Sequence, residues 1–501
     1  MGIVKRQFFK ASAATYVGVA LGYLNITILF PYFCTPEQLG LYRVIINMAT
    51  MFAAIAYMGT PQTIIKQHPF FKKSAQLKEF YGLLVIMFLA TLTLSAVLLM
   101  LLENSVINFF SQKSPEVAEY YFYSVYIAFT LAIYVLFISN VRIIKRIAFP
   151  AFLKDVFLRV LIMINILLLG FEIINFKQFI ILLCSAYTIL TIVAVIYSLK
   201  LVPIKVSFEI NALKKYDIKN TLNFTLLTFL ASISNIIIMN ADSLMITAYA
   251  EKGLTDTGIY TIAFFIGSTL EIPKRMIILV TAPVISEYWT DGKMDQIEKA
   301  FKQTSINGLI LGAFIFGLIW LNIETLYTFI PNSEIYSKGL FVVLFILIAR
   351  LFELICSLAP NIITQTKLYA YNLPLSIVLV LITIVSNYLL IPKYGILGAG
   401  IATMASIIIY NTLKIALVWH SYKIWPFDIK LFKFLIFFTL TVFFISQIEI
   451  APNNYIFAIL KSLMFLVALT LFSLLDNTSD DFKSIILKVI SKIQQILWRE
   501  R

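Results

Sequence analysis

Charge is scarce in this chain. Only 13% of its 501 residues are Asp, Glu, Lys or Arg, about half the share of an average soluble domain. With 60% apolar residues and a mean hydropathy of +0.90, it cannot present a polar surface to water, and it is too apolar to be disordered. Cysteine is scarcer still. Cys34, Cys184 and Cys356 are odd in number, far apart and without a CxxC partner, so neither a disulfide frame nor a zinc site is expected. The two histidines, His68 and His420, read as loop residues with no acidic or thiol neighbours, which argues against a histidine dyad or metal centre. The 18 glycines and 15 prolines are too few for a low-complexity chain. HExxH and GxSxG are absent. Gly253 and Gly258 have the spacing of a phosphate-binding loop, but Ile259 and Tyr260 follow where Lys and Ser/Thr are required. The expectation is a protein that is not an enzyme and has no cofactor, metal or nucleic-acid partner. Its formal charge of +14 reads as the positive-inside bias of a membrane protein.

What the chain has in abundance is apolar runs long enough to cross a bilayer, where about 20 residues suffice. They fall at 11–33, 41–65, 80–102, 117–140, 149–170, 177–199, 221–249, 257–280, 301–321, 338–360, 372–391, 396–419, 431–447 and 455–475. The first is too long for a signal-peptide core and no A-x-A-like site follows it, so it reads as a retained span. The layout predicts an all-α polytopic membrane protein of about 14 transmembrane helices. With the N-terminus in the cytoplasm, cytoplasmic segments hold 28 Lys/Arg against 12 Asp/Glu, and external loops hold 5 against 10. A missed or invented span would reverse every later loop and destroy that contrast. Both termini are therefore expected in the cytoplasm. No external loop is long enough to carry a catalytic domain. After Leu475, apolar Phe482, Ile486, Val489, Ile493 and Ile496 alternate with lysines and glutamines at helical spacing, predicting an amphipathic helix on the inner membrane surface.

An internal repeat is visible. Gly40-Leu41-Tyr42 and Gly258-Ile259-Tyr260 each follow an external loop and open a long apolar segment. Six spans and the linker 200–220 lie between them, and six is even, so the halves share one orientation, as in parallel transporter repeats. The expected organisation is a six-helix lobe (1–199), a cytoplasmic linker (200–220), a second six-helix lobe (221–419), two added helices (420–475) and the tail (476–501). The glycines read as turn residues tolerant of unusual backbone angles, and the tyrosines as interfacial rings.

A third junction reads Ile391-Pro392-Lys393-Tyr394-Gly395-Ile396-Leu397-Gly398-Ala399-Gly400-Ile401-Ala402-Thr403. This segment resembles the P-x-[YF]-G-x-x-G-A-A/G-x-A-T signature of bacterial polysaccharide flippases, in the multidrug/oligosaccharidyl-lipid/polysaccharide (MOP) superfamily. TPEQLGLYRVI and the later Met58-Gly59-Thr60-Pro61-Gln62 resemble other patterns of that family, and the likeness extends over nearly the whole chain. It implies a flippase moving undecaprenyl-pyrophosphate-linked oligosaccharide repeat units across the bacterial inner membrane by alternating access, for cell-surface polysaccharides such as the O-antigen of lipopolysaccharide. Membrane lipids, a polysaccharide polymerase and chain-length machinery are the implied partners.

Charges inside the spans carry the site reading, because each is costly unless it faces a cavity or a partner. Asp155 and Arg159, Glu271 and Arg275, and Arg350 and Glu353 stand three or four residues apart, a spacing that also fits local neutralisation. Lys461 reads as isolated, with no acid nearby. Arg43, Arg159, Arg275, Arg350 and Lys274 are the candidate substrate-binding residues, since arginine forks suit pyrophosphate. Asp242, Glu271 and Glu353 are the candidate ion-coupling residues. The alternatives are a multidrug exporter of the same superfamily, disfavoured by the excess of basic over acidic residues in the spans; a peptidoglycan lipid II flippase; and, from another class, a membrane glycosyltransferase or polymerase.

Overall fold

The computed structural model describes residues 2–74, 76–202, 204–209, 218–448, 455–484, 486–488 and 491. The middle of the 200–220 linker and most of the expected tail helix lie outside them. Among the described residues every regular element is helical, as a chain in hydrocarbon requires if each backbone N–H and C=O is to be paired within its own segment.

The main helices are α1 (Gly2–Tyr23), continued by a π-helical turn Leu24–Leu29 and by Phe30–Phe33, then α2 (Pro36–Tyr57), α3 (Thr60–Lys73), α4 (Leu77–Phe110) and α5 (Tyr121–Ile143). A second π-helical turn, Phe152–Phe157, leads into α6 (Leu158–Gly170), followed by α7 (Phe176–Leu201), α8 (Ile218–Tyr249), α9 (Leu254–Gly267) and α10 (Glu271–Thr290). The chain continues with α11 (Met294–Trp320), α12 (Leu340–Ile355), α13 (Ala359–Gln365), α14 (Asn372–Tyr422), α15 (Ile429–Ser446) and α16 (Tyr455–Leu475).

All fourteen expected segments fall on helices, yet only ten helices among the described residues, or eleven if one bent pair counts as a span, are long and apolar enough to cross a membrane. The difference has physical causes. Segments 149–170 and 257–280 contain the charged triplets Lys154/Asp155/Arg159 and Glu271/Lys274/Arg275. Segments 372–391 and 396–419 form one 51-residue helical run, α14, broken at Gly395 with φ +57°. At 1.5 Å per residue an unbroken α14 would be roughly 76 Å long, against a hydrocarbon core of about 30 Å.

Helix starts follow from local chemistry. Thr35 accepts from the Gln38 N–H at 3.2 Å while Gln38 Oε1 accepts from the Thr35 N–H at 3.0 Å, a capping box. Asn175 and Gln178 repeat it at α7, with both bonds at 2.9 Å. The expected second span is two helices, because Met58 (φ +33°) and Gly59 (φ +76°) turn left-handed between α2 and α3. Leu94, Met100 and Leu101 of α4 point outward, the arrangement for contact with lipid.

The chain forms two compact units. One comprises Met1–Ile262 with Asn387–Ala399, the other Ala263–Ser386 with Gly400–Arg501. In the first, α2 packs on α5 and α8, and α5 on α7. Because α8 packs on α2 and α3, the unit runs past the 200–220 linker. In the second, α11 packs on α10, α12 and α15, and α15 on α16.

Candidate functional site

In the first unit, two of the expected arginines share surroundings. Arg43 is half-buried on α2, and no carboxylate lies within ion-pair distance of it among the described residues. The charges of Arg43 and Arg159 both act on the hydroxyls of Tyr42 and Tyr187, and Tyr260 lies within reach of Arg43. Three tyrosines thus lie within electrostatic range of Arg43, two of them also within range of Arg159.

Arg159 is held by α1. It donates to the Gly18 carbonyl, and its own carbonyl accepts from Asn25 Nδ2 at 2.9 Å. Asp155 accepts from the Thr15 hydroxyl at 2.9 Å. A Cβ at Gly18 would collide with the Asp155 backbone, and one at Gly22 with the Arg159 guanidinium. Gly18 and Gly22 therefore form a GxxxG face that brings α1 against the second π-helical turn and Arg159. The sequence reading missed this function although the four-residue glycine spacing was there to be seen. Each π turn inserts a residue that no periodicity pattern reveals, and such turns recur at functional sites.

Asp242 of α8 is buried. Its carboxylate accepts from the Tyr260 hydroxyl of α9 at 2.8 Å and from Asn387 Nδ2 of α14 at 2.7 Å. The two bonds tie α8 to α9 and α14.

The second unit gathers the other five candidates on α10 and α12. Glu353 is bonded by Lys274 Nζ at 2.8 Å and Arg350 Nη1 at 2.7 Å. Glu271 lies 3.8 Å from Arg350 and 3.4 Å from Arg275. The expected pairs Arg350–Glu353 and Glu271–Arg275 both form, and Lys274 joins them from the facing helix. Arg275 remains 60% exposed, whereas Arg350 is 7% exposed. Lys414 of α14 was not among the expected residues. It is buried with Nζ 3.7 Å from the Tyr410 ring centroid, and its charge interacts with Glu353. Its place inside segment 396–419 was the available signal.

The histidines are helical, contrary to the loop expectation. His68 is buried in α3 with its ring 6.3 Å from that of Tyr81, and His420 lies in the last turn of α14. All three cysteines are buried and free. Among the described residues no three His, Cys, Asp or Glu side chains are grouped to hold a metal ion.

The repeat glycines Gly40 and Gly258 serve a different purpose from the one expected. Neither has a positive φ. A Cβ at Gly40 would strike the Leu254 carbonyl, and one at Gly258 the Pro36 carbonyl. The N-terminal turns of α2 and α9 cross in direct backbone contact, and only glycine leaves room. Beside this crossing the Ser114 hydroxyl donates to the Thr247 carbonyl at 2.9 Å, and the Thr247 and Thr257 hydroxyls meet at 2.7 Å. At the other end of the same unit, a Cβ on Gly59 would meet the Thr225 carbonyl, the Thr63 and Thr225 hydroxyls are 2.7 Å apart, and Lys66 covers the Phe224 ring.

Known proteins share this architecture. A profile of polysaccharide biosynthesis proteins matches residues 4–289, more than half of the chain. A solved lipid II flippase, MurJ, in an inward closed conformation superposes with a TM-score of 0.72 at 17% identity, covering 92% of this chain and 98% of the other. An inward-facing multidrug resistance MATE family transporter of the MOP superfamily gives 0.56 at 17% identity, covering 82% and 98%. A variant of the Vibrio cholerae MATE transporter VcmN gives 0.52 at 15%, covering 84% and 97%. No curated protein matches by sequence. At these identities the structural likenesses establish the fold, that of multi-pass flippases and transporters. The profile match shows that the chain belongs to the polysaccharide biosynthesis protein family.

Proposed function

We propose that this protein flips undecaprenyl-pyrophosphate-linked oligosaccharide repeat units from the inner to the outer leaflet of the bacterial inner membrane, by alternating access, for assembly of a cell-surface polysaccharide such as O-antigen. The observation that carries the reading is Arg43, an intramembrane guanidinium with no carboxylate partner among the described residues, beside the same tyrosines as Arg159. That environment suits a doubly ionised phosphate ester better than an organic cation. Lys274, Arg275 and Arg350 already face Glu271 and Glu353, so pyrophosphate binding is assigned first to Arg43. Export of an anion from a negative interior gains about 2.3 kcal/mol per charge at about 100 mV.

In vesicles loaded with lipid-linked oligosaccharide, Arg43→Ala should lower flipping at least about tenfold with the protein still inserted. Arg43→Lys should restore only part, because lysine keeps the charge and loses the fork. Full activity of Arg43→Ala would remove the assignment. The lipid II reading is favoured by the MurJ superposition. It would prevail if the protein sustained growth of cells depleted of their lipid II flippase while its own loss left surface polysaccharide unchanged.

Both termini are assigned to the cytoplasm on the charge contrast of the loops. Single cysteines at Lys113, Lys252 and Lys338 should react with an impermeant maleimide outside intact cells, and cysteines at Lys72 and Lys299 should not. The opposite pattern would invert the orientation.

Asp242 is the proposed coupling acid, a buried carboxylate on α8 that accepts from Tyr260 of α9 and Asn387 of α14 and so ties three helices together. Asp242→Asn should leave flipping driven by the substrate gradient and abolish its acceleration by an imposed sodium or proton gradient. Retained acceleration would exclude it.

A further inference from the structure

The four helix ends that meet at one pole of the second unit enclose a cavity of about 480 Å³, within the size range of small-molecule sites. They are the C-terminal ends of α11 and α15 and the N-terminal ends of α12 and α16. Lys299, Lys302, Lys430 and Lys433 lie at the opposite ends of α11 and α15, so the cavity is at the outer pole in the orientation proposed above.

Its lining is unlike a lipid crevice. Trp320 and Phe341 contribute rings with centroids 6.4 Å apart. Asn322 donates to the Leu318 carbonyl and the Ser462 hydroxyl, at 2.8 and 2.9 Å, while its buried Oδ1 accepts no hydrogen bond. Ser446 adds a hydroxyl. Glu324 and Lys461 also line it, so the cavity carries one charge of each sign.

Opposite charges in one wall leave no net preference for an anion or a cation. Aromatic faces beside an amide carbonyl, a hydroxyl and an ammonium suit a ligand with apolar C–H faces and many equatorial hydroxyls. We propose that this cavity binds a saccharide, with Trp320 and Phe341 as stacking faces and Asn322 and Lys461 as hydrogen-bonding groups. It would hold the sugar portion of the cargo on the side where it is released. That role rests on the flippase reading; the binding itself does not.

The test uses the full chain in nanodiscs with Trp289, Trp419, Trp425 and Trp498 replaced by phenylalanine, leaving Trp320 as the reporter. The probes are free hexoses, N-acetylhexosamines, hexuronates and their disaccharides, with inorganic phosphate as the competing chemistry. At least one sugar should shift Trp320 emission saturably, and its affinity should fall roughly tenfold in Asn322→Ala and again in Lys461→Met. Ser446→Ala, a smaller change, should weaken it severalfold and guards against misfolding in the other two. No response to any sugar overturns the proposal, and so does a saturable response to phosphate alone. Binding with Ser446→Cys closed to an external maleimide would overturn the release role and leave the site. Intact flipping with binding abolished would overturn the release role without touching the flippase reading.

Discussion

Gly258→Leu should open the protein at the crossing of α2 and α9 and depress flipping by at least tenfold. The obstacle is backbone: a Cβ at Gly258 meets the Pro36 carbonyl, and one at Gly40 meets the Leu254 carbonyl. No rotamer change relieves either collision. Overpacking of a tight contact costs about 1–3 kcal/mol, and each 1.4 kcal/mol is tenfold in a conformational equilibrium, so the packed arrangement should lose roughly five- to a hundredfold in population. Thr257, fully buried and one residue away, is the reporter. Thr257→Cys should be inert to an impermeant maleimide in the parent and should react at least about ten times faster with Gly258→Leu present. Gly40→Leu should do the same, and the two together should add little beyond either. Unchanged labelling and transport in both variants would show that this contact is incidental.

The second large effect concerns Glu353. Its carboxylate holds both Lys274 and Arg350, at 2.8 and 2.7 Å, and Arg350 is 7% exposed. Removing one partner of a buried ion pair leaves an uncompensated charge and costs about 3–5 kcal/mol. Glu353→Ala should therefore lower resistance to thermal unfolding in detergent more than any other single change in this cluster. Lys274→Met with Glu353→Met should recover at least half of the loss, because the pair is then replaced by apolar groups of similar length and Arg350 retains Glu271 at 3.8 Å. Additive losses in the double variant would mean the two side chains act independently.

The helical layout was legible because hydrocarbon imposes it. An apolar run of bilayer length has little choice but helix, and the basic loops suggested a direction for each. Sequence also yielded the contacts confined to one helix, such as Arg350 with Glu353, since a three-residue spacing fixes the geometry. Contacts made across helices were not legible. Nothing along the chain says that Lys274 reaches Glu353, that Asn387 bonds Asp242, or that Lys414 belongs with the charged cluster. Gly40 and Gly258 were singled out correctly but for their backbone freedom, when what matters is the missing side chain at a crossing. The break at Met58-Gly59 and the two π-helical turns escaped because a one-residue change of register leaves the apolar pattern intact.

The contacts that join α2 and α3 to α8 and α9 include the Thr63–Thr225 hydroxyl pair, the Gln62 amide on Ser232, Lys66 over the Phe224 ring, and glycine backbone at Gly40, Gly59 and Gly258. Among the described residues no salt bridge links them. Parting them at either end separates no ion pair. Salt screens charge pairs but leaves steric fit and hydroxyl contacts untouched, so the association of these helices should be largely insensitive to ionic strength, unlike that of the charged cluster on α10 and α12.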